Sequence, residues 1–436
     1  MLFMSIKKKV LIICYYWPPA GGSGVQRHLK FAKYLRDFGW EPIIYTVKNG
    51  EYPELDETLL NEVPEGITII KRNITEPYSF YKIFTGKKKK EKITPNFFSQ
   101  KNEGFFQKLA IFLRSNFFIP DARMWWIKPS INFLEKYLKS NPVDAIISTG
   151  PPHSLHLIAN SIHDSTNIPW LADFRDPWTN IDYFKDLVLL PFAKEKHIRL
   201  EKEVLTKASR VVTVSPTWAK ELEVIGERKV DVVTNGYDES DFEISNPILD
   251  SKFTIVHLGM FSKARNHEVF WKALSELVVE NPFFAKELQI NFYGITDGSV
   301  NTLAVKYGLS QYVTIYPYQP HEEIVKVMAS SRVLFLSVHN SANLKGFVPG
   351  KLFEYMASNR PIVCIGPESG DSATIIRQTK TGVVSDFNDL VKLKRNLMVL
   401  HGDYINNIKE EGRNITPYSR KELTMKLAGI LDEMTT

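Results

Sequence analysis

Residues 10–39 read VLIICYYWPPAGGSGVQRHLKFAKYLRDFG, which predicts a strand, a glycine-rich loop and a helix. Residues 10–15 are apolar enough for a buried strand, and the loop interrupts it with two prolines and three glycines. Apolar residues at helical spacing follow, and Gly39 ends the helix. Glycines at the start of a helix let backbone N–H groups approach an anion, so Gly21 and Gly22 are candidates for contact with a phosphate. A tight turn would explain the same glycines.

The alternation of strand and helix signals continues along the chain and predicts an α/β fold with parallel sheets flanked by helices. A polar stretch, residues 238–251, separates two sets of strands and indicates a linker. We therefore expect two Rossmann-like domains, residues 1–245 and 250–417, which face each other across a cleft and bind ligands beyond the carboxyl ends of their strands. A last helix is predicted at about residues 418–436, and whether it packs on the first domain stays open. The predicted strands are 10–15, 42–46, 67–71, 143–148, 170–173, 210–214 and 230–234 in the first half, and 253–258, 288–293, 313–316, 333–337, 361–365 and 382–385 in the second.

The composition narrows the class of protein. A chain of 436 residues is long enough for two domains. Cys14 and Cys364 lie in apolar strand runs, which favours a reducing compartment without a disulfide framework. No stretch approaches the ~18 apolar residues that a membrane span needs, so we expect a cytoplasmic protein, either free or peripheral at a membrane. A net charge of +6 fits an anionic ligand or a membrane surface better than nucleic acid.

Residues 76–130 break the alternation of strands and helices. Four lysines at 87–90 and Lys92 are followed by aromatic and basic residues that alternate along the chain. Basic charge among aromatic side chains is typical of a membrane interface with anionic lipid. A helical insertion packed on the first domain, with a solvated lysine loop, explains the same composition. The residues that follow the lysines are Phe97, Phe98, Lys101, Phe105, Phe106, Lys108, Phe112, Arg114, Phe117, Phe118, Arg123, Trp125, Trp126 and Lys128.

A second candidate phosphate site follows the first strand of the second half. Gly259 comes directly after the strand, and Lys263 and Arg265 precede the next helix. Either cation could reach a diphosphate, and the guanidinium of Arg265 could bind it with two parallel hydrogen bonds. A connecting loop with exposed basic side chains is the alternative.

The segment 346–363, GFVPGKLFEYMASNRPIV, predicts a loop, a helix and a buried strand. Lys351 and Glu354 fall three residues apart on the first turns of the helix. A lysine at the start of a helix suits a phosphate, and a carboxylate one turn later suits the two hydroxyls of a ribose. A surface ion pair between the two side chains is the alternative.

Six short motifs occur in an order that is known from one family. Together they span nearly the whole chain, and they resemble those of the retaining glycosyltransferases of family 4, which have the GT-B fold. The motifs are PPAGG at 18–22, TGPPH at 149–153, DFRDPW at 173–178, VSP at 214–216, NGYD at 235–238 and KLFEYMA at 351–357.

The resemblance implies a nucleotide-diphosphate sugar as donor, with a UDP-sugar favoured, held mainly by the second domain. Glu354 matches the carboxylate that binds the ribose, and Lys351 is placed near the diphosphate. The loop with Gly21 and Gly22 is implied to close on the phosphates from the first domain.

The resemblance also implies roles in catalysis and in acceptor binding. His153 matches an active-site histidine that hydrogen-bonds the donor sugar, although a structural role at a helix start is the alternative. Asp173 or Asp176 is implied to orient or deprotonate the acceptor hydroxyl, with loop stabilisation as the alternative for Asp176. Arg175 is expected to pair with an aspartate or to touch the acceptor.

Two positions depart from the family pattern. Gly346 stands where the family often has the first of two glutamates, and Met260 stands where it often has an arginine, which leaves Arg265 as the nearest match to the lysine that follows. The chain contains no Asp-x-Asp motif, so neither a metal nor a further cofactor is expected. Lys351, Arg265 and backbone amides are expected to stabilise the leaving diphosphate instead.

We therefore expect a retaining hexosyl- or N-acetylhexosaminyltransferase that acts on a glycan or lipid-linked acceptor in cell-surface polysaccharide biosynthesis, at the inner face of the plasma membrane. Two alternatives stay open. One is a UDP-sugar 2-epimerase of the same fold, which needs no acceptor site. The other is a non-catalytic protein that binds a nucleotide sugar or a membrane, an alternative that Gly346 and Met260 support.

Overall fold

The computed structural model describes residues 7–52, 54–76, 105–184, 187–242, 247–341, 343–408 and 413–436. The predicted lysine run at 87–90, Lys92, Phe97, Phe98, Lys101 and part of the predicted linker therefore lie outside the described residues. The chain divides into two compact units. Unit 1 consists of Met1–Thr234 and Arg420–Thr436, and unit 2 consists of Asn235–Ser419.

Each unit contains one parallel sheet. The sheet of unit 1 has seven strands in the order β3-β2-β1-β4-β5-β6-β7, and that of unit 2 has six in the order β10-β9-β8-β11-β12-β13. Every predicted strand is present in the described residues, with ends displaced by two residues at most. The strands are β1 Lys8–Ile13, β2 Trp40–Val47, β3 Thr68–Arg72, β4 Ala145–Gly150, β5 Trp170–Phe174, β6 Arg210–Thr213, β7 Asp231–Val232, β8 Phe253–Leu258, β9 Leu288–Tyr293, β10 Val313–Tyr316, β11 Val333–Ser337, β12 Ile362–Ile365 and β13 Gly382–Ser385.

Helices connect the strands in both units. Across the part of the chain that the structure describes, no helix is long and apolar enough to cross a membrane. The helices are α1 Ser23–Tyr34, α2 Phe105–Phe117, α3 Met124–Ser140, α4 Ser154–Thr166, α5 Pro191–Lys207, α6 Pro216–Gly226, α7 Glu268–Glu280, α8 Pro282–Glu287, α9 Ser299–Lys306, α10 His321–Ser330, α11 Lys351–Ala357, α12 Asp371–Thr379, α13 Leu390–Ile405 and α14 Arg420–Thr435.

The strand orders place one switch point in each sheet. In unit 1, β1 pairs with β2 on one side and with β4 on the other. In unit 2, β8 pairs with β9 and β11 in the same way. The connections from the two central strands of such a sheet leave in opposite directions, which opens a crevice at their carboxyl ends. The glycine-rich loop follows β1, and Gly259 follows β8, so both candidate phosphate loops lie at switch points.

Part of the predicted insertion packs on unit 1. Trp126 of α3 is buried and stacks on Tyr45 of β2, with ring centroids 5.3 Å apart. Asn116 of α2 donates to the carbonyl of Val188 at 2.9 Å and accepts from the amide of Leu190 at 2.6 Å. These contacts attach both helices to the rest of the unit.

The final helix, α14, completes the core of unit 1. Leu423, Leu427 and Leu431 are buried against one face of the sheet, in the same cluster as Val10 and Leu29. The ion pairs that α14 makes, such as Lys8 with Asp432 at 3.1 Å, are exposed and contribute little. Burial of apolar side chains is therefore what holds this last segment to the unit in which the chain began.

We expect Leu431→Ala to destabilise unit 1 by about 2–5 kcal/mol, because the leucine is fully buried and its loss leaves a cavity. Met425→Ala is the matched control, since Met425 lies on the same helix and is 48% exposed. The measurement is urea unfolding followed by tryptophan fluorescence. Seven of the eight tryptophans lie in unit 1 and only Trp271 lies in unit 2, so the fluorescence reports mainly on unit 1. Equal midpoints for the two variants would contradict the packing of α14.

Candidate active site

A lysine ammonium covers the loop at the switch point of unit 2. Lys351 begins α11, and its Nζ donates to the carbonyl of Leu258 at 2.6 Å and lies 3.5 Å from Nε2 of His257. Gly259 has a φ of +88°, and a Cβ at this position would stand 3.2 Å from the same Nζ. The glycine therefore satisfies the backbone conformation and leaves room for the ammonium.

Two cations lie beside this loop, Lys351 of α11 and Arg265. Burial lowers the pKa of Lys351 to about 7, with the nearby charge of Arg265 acting in the same direction and Glu354 opposing it. Burial also lowers the pKa of Arg265. Neither cation forms an ion pair with a described residue. Because both side chains are partly removed from water and their charges are unpaired there, the two cations are well suited to bind an anion such as a diphosphate.

Glu354 lies one turn after Lys351 on α11. Its carboxylate is half-buried and accepts no hydrogen bond from any residue in the described ranges. The ion pair with Lys351 that the sequence left open is not formed there. Both oxygens of Glu354 are thus available to hydroxyl donors.

The remaining predicted positions of unit 2 differ in exposure. Lys263 is exposed on the short turn that also carries Arg265. Met260 is 42% exposed, and Gly346 is buried in a turn before α11. The two departures from the family pattern therefore supply no charge at this site.

Sequence reasoning missed two residues that hold the loop. Tyr355 is buried, and its hydroxyl accepts from the amide of Leu258 at 3.0 Å. His257 is buried at the end of β8, and its Nδ1 lies 3.0 Å from the carbonyl of Phe335. The signal for Tyr355 was its place directly after Glu354, and that for His257 was its place two residues before Gly259.

In unit 1, Asp173 forms a buried ion pair at the carboxyl end of β5. Arg27 of α1 binds it with Nε at 2.8 Å and Nη2 at 3.0 Å, and Nε2 of His28 lies 3.1 Å away. Burial disfavours the ionised form, but Arg27 and His28 outweigh it and hold the pKa of Asp173 well below its usual range. Burial also lowers the pKa of His28 to about 4, so this imidazole is neutral at pH 7. Asp173 thus anchors α1, with both carboxylate oxygens occupied.

Arg175 joins the start of α1 to the loop after β4. Its Nη1 donates to the carbonyl of Gly24 at 3.1 Å, and its Nη2 donates to the carbonyl of Pro151. A Cβ at position 24 would stand 2.6 Å from Nη1, which explains the glycine. Within the described residues Arg175 pairs with neither aspartate, and its Nε is buried without a hydrogen-bond partner.

His153 and Asp176 retain unused polar groups. The ring of His153 stacks on Trp178 with centroids 4.4 Å apart, and its Nδ1 is buried without a hydrogen-bond partner. Burial keeps the pKa of His153 well below its ordinary value, so the ring is neutral. Asp176 makes no hydrogen bond or ion pair with the residues that the structure describes. Burial raises the pKa of Asp176, which makes its carboxylate a better proton acceptor.

Unpartnered polar atoms concentrate along the carboxyl edge of the sheet in unit 1. They lie at or just after the ends of the neighbouring strands β4, β5, β6 and β7. A buried polar atom without a partner costs about 1–3 kcal/mol, so this edge is suited to a polar ligand. The atoms are Thr149 Oγ1, His153 Nδ1, Arg175 Nε, Ser215 Oγ and Thr234 Oγ1.

Gly21 and Gly22 lie in the loop before α1. Gly22 has a φ of +89°, which L side chains rarely adopt. The amide of Gly21 donates to the carbonyl of Glu54 at 3.0 Å. The turn alone therefore accounts for Gly22, and contact with a phosphate stays a prediction.

Solved structures share the fold of the whole chain. WaaG, a glycosyltransferase involved in lipopolysaccharide biosynthesis, matches with a TM-score of 0.52 and 12% identity over 97% of this chain and 96% of its own. TarM of S. aureus, solved with fondaparinux, α-GlcNAc-glycerol and UDP, matches with a TM-score of 0.57 and 11% identity over 98% of this chain and 100% of its own. A Listeria monocytogenes protein described as a UDP-N-acetylglucosamine 2-epimerase matches with a TM-score of 0.56 and 10% identity over 98% of this chain and 96% of its own. Identities this low show the fold alone.

Family models match both units. Residues 89–241 match the model described as Glycosyltransferase Family 4, and residues 252–403 match that of the Glycosyl transferases group 1. Together the two matches cover more than half of the chain. The chain belongs to the GT-B glycosyltransferases. No curated protein sequence matches this glycosyltransferase. The predicted fold and the predicted class of enzyme are thereby confirmed.

We expect the glycosyltransferase to bind nucleotide sugars more weakly as the pH rises above about 7. The pKa of Lys351 is about 7 in the free protein, and an anion beside the lysine raises it. Below pH 7 the lysine is already protonated when the anion binds. Above pH 7 it must take up a proton on binding, which weakens the affinity. Affinity should fall by up to about tenfold per pH unit between about pH 7 and the pKa of the complex. Calorimetric titration with UDP-glucose or GDP-mannose between pH 6 and 9 measures it.

Lys351→Arg is the control, because arginine keeps its charge over this range and should remove the dependence. A parent protein with equal affinity at both ends of the range would show that Lys351 does not contact the anion.

Proposed function

We propose that this glycosyltransferase is a retaining member of family 4 that transfers a hexose or an N-acetylhexosamine from a nucleotide-diphosphate sugar, with a UDP-sugar favoured. The observation that carries the proposal is the group of Lys351, Arg265 and Glu354 at the switch point of unit 2. Two partly buried cations that form no ion pair with a described residue match a diphosphate, and a carboxylate that accepts no hydrogen bond from those residues matches the hydroxyls of a ribose.

Departure of a nucleoside diphosphate develops negative charge on the phosphate and positive character on the sugar. Lys351 is held before the reaction by its bond to the carbonyl of Leu258, and together with Arg265 it stabilises the developing charge. No cofactor beyond the nucleotide sugar is proposed.

Unit 1 is proposed to contribute the acceptor chemistry. Asp176 is the proton acceptor for the attacking hydroxyl, since its oxygens are unoccupied and its pKa is raised. Asp173 has no free oxygen for this role and keeps the loop in place through Arg27. His153 has the role that the family resemblance implies, a hydrogen bond to the donor sugar.

A glycan or lipid-linked acceptor in cell-surface polysaccharide biosynthesis is the proposed second substrate. A lipid-linked acceptor requires access to a membrane, and unit 1 exposes an apolar stripe on α2. Leu109, Leu113 and Phe117 lie four residues apart on this helix and are 42%, 43% and 54% exposed. Phe192 of α5 extends the stripe, because its ring lies 6.0 Å from that of Phe117. Exposed Lys194 and Arg199 follow on α5 and complement an anionic lipid surface, so we place the enzyme at the inner face of the plasma membrane.

The epimerase alternative has the fold match with the Listeria monocytogenes protein in its favour. An epimerase needs no second sugar-binding edge, whereas unit 1 offers a row of unpartnered polar atoms. Incubation of the protein with UDP-N-acetylglucosamine alone separates the two: formation of the 2-epimer would overturn the transferase proposal.

The donor is tested by a thermal-shift screen with UDP, GDP, dTDP, ADP and CMP beside their sugars, because a ligand of the native state raises the unfolding midpoint. A hit is then incubated with an extracted lipid fraction, and the anomeric configuration of the product is read by NMR. A retained configuration supports the proposal and an inverted one contradicts it. Donor binding without transfer to any fraction would favour the non-catalytic alternative.

We expect Glu354→Ala to weaken donor binding at least about tenfold, because the ribose hydroxyls lose a charged acceptor worth about 1.5–3 kcal/mol. Glu322→Ala is the matched control, since Glu322 is exposed on α10 of the same unit. Isothermal titration with the donor from the screen measures both. Equal affinity of Glu354→Ala and the parent protein would remove the ribose assignment.

We expect a protein with Leu113→Gln and Phe117→Gln to bind vesicles of phosphatidylglycerol and phosphatidylethanolamine several-fold more weakly than the parent protein, because the stripe loses apolar area. Leu60→Gln is the control, as Leu60 is 47% exposed elsewhere in unit 1. Co-sedimentation at about 0.1 M salt measures binding. Parent protein that stays in the supernatant, or an equal loss with Leu60→Gln, would contradict membrane contact at α2.

A further inference from the structure

The loop that carries Asp176 is held from behind by two buried side chains of α5. Glu201 is 1% exposed, and its carboxylate accepts from the amides of Trp178 and Thr179 at 3.3 Å and from the hydroxyl of Thr179. No cation pairs with Glu201 within the described ranges, so hydrogen bonds from this loop alone satisfy it. The backbone just after Asp176 is therefore tied to α5.

His197 lies one turn before Glu201 on the same face of α5 and holds the indole of the loop. Trp178 Nε1 donates to Nδ1 of His197 at 3.0 Å. An indole N–H can only donate, so Nδ1 of His197 is the acceptor and its proton resides on Nε2. Burial lowers the pKa of His197 to about 4, which keeps this acceptor available at neutral pH.

The indole fixed in this way supports His153. The two rings are almost parallel, with an interplanar angle of 4°, and Trp178 is 3% exposed. Nδ1 of His153 has no hydrogen-bond partner, so no bond at that atom sets the rotation of the ring. The stack on Trp178 is what restrains it. A chain of contacts thus runs from α5 through Trp178 to His153, and the same loop carries Asp176.

We propose that His197 and Glu201 are positioning residues for sugar transfer, which act through Trp178 to set the ring of His153 and the carboxylate of Asp176. This inference rests on the proposed roles of His153 and Asp176. Neither positioning residue touches a substrate, and the donor site of unit 2 contains none of these side chains. Donor affinity rests mainly on the nucleotide site of unit 2, so loss of either residue lowers the rate of transfer far more than it lowers donor affinity.

The first test is steady-state transfer and donor titration with His197→Ala and Glu201→Ala. We expect kcat to fall about tenfold or more, since each variant removes hydrogen bonds from a buried partner, while donor affinity changes far less than kcat. His197→Gln and Glu201→Gln should restore part of kcat, because an amide oxygen can accept the bond from Trp178 Nε1 at position 197 and part of the bonds from the loop at position 201. Glu195→Ala, at an exposed position on α5, is the control. Loss of donor affinity in parallel with kcat, or no rescue by glutamine, would show a merely structural role.

The second test is a double-mutant cycle. Trp178→Phe keeps an aromatic ring against His153 but cannot donate to His197. If the hydrogen bond transmits the effect, His197→Ala should lower kcat little further once Trp178→Phe is present. Additive losses would overturn the inference.

A His153→Ala variant separates the inference from the function on which it rests. Unchanged transfer by His153→Ala would remove the proposed role of His153 itself. Reduced transfer by His153→Ala with full transfer by His197→Ala and Glu201→Ala would refute the positioning role alone. Circular dichroism and the unfolding midpoint of each variant establish that the protein compared is folded.

Discussion

The buried ion pair between Asp173 and Arg27 is the constraint on which the active edge of unit 1 depends. Arg27 also donates from Nη1 to the carbonyl of Thr234 at 2.9 Å, so one guanidinium joins α1, the end of β5 and the segment after β7. Removal of either partner would leave the other charge buried and unpaired, which typically destabilises a protein by about 3–5 kcal/mol. Since α1 begins directly after the glycine-rich loop, this pair also sets where that loop lies. Arg175 then links the same loop to Pro151, and the edge becomes one connected structure.

Charge balance separates the residues that build the fold from those that await a ligand. Asp173 has two cationic or hydrogen-bonding neighbours, and its buried charge is fully compensated. Lys351 and Arg265 are partly buried, yet within the described residues no carboxylate forms an ion pair with either of them. Evolution of a stable fold alone would not place two cations together in this way, because each raises the cost of charging the other. An anionic ligand neutralises the two cations and removes that cost, so its binding stabilises unit 2.

Local patterns explain how much was predictable from the sequence. Apolar runs such as β8 and β12 are buried on both faces, so hydrophobicity alone predicted them within two residues. Lys351 and Glu354 were predictable because both lie on one short helix and their spacing is local. The partners of Asp173 were not, since Arg27 is 146 residues away in the chain and only tertiary packing brings the two together. The stack of His153 on Trp178 and the support from α5 are long-range contacts of the same kind, and no periodicity reports them.

The same charge balance bears on the two departures from the family pattern, Gly346 and Met260. The diphosphate of a nucleotide sugar carries two negative charges, and Lys351 with Arg265 provides two positive ones. A further cation at position 260 would bind the intact donor more tightly, but interactions equal in the ground state and the transition state do not speed the reaction. The charge that matters is the additional one that develops as the sugar leaves. In this chain the partly buried ammonium of Lys351, beside Gly259, is the group best suited to meet it, because partial burial strengthens its field. The site can thus lack the two familiar side chains and still keep the elements that favour sugar transfer.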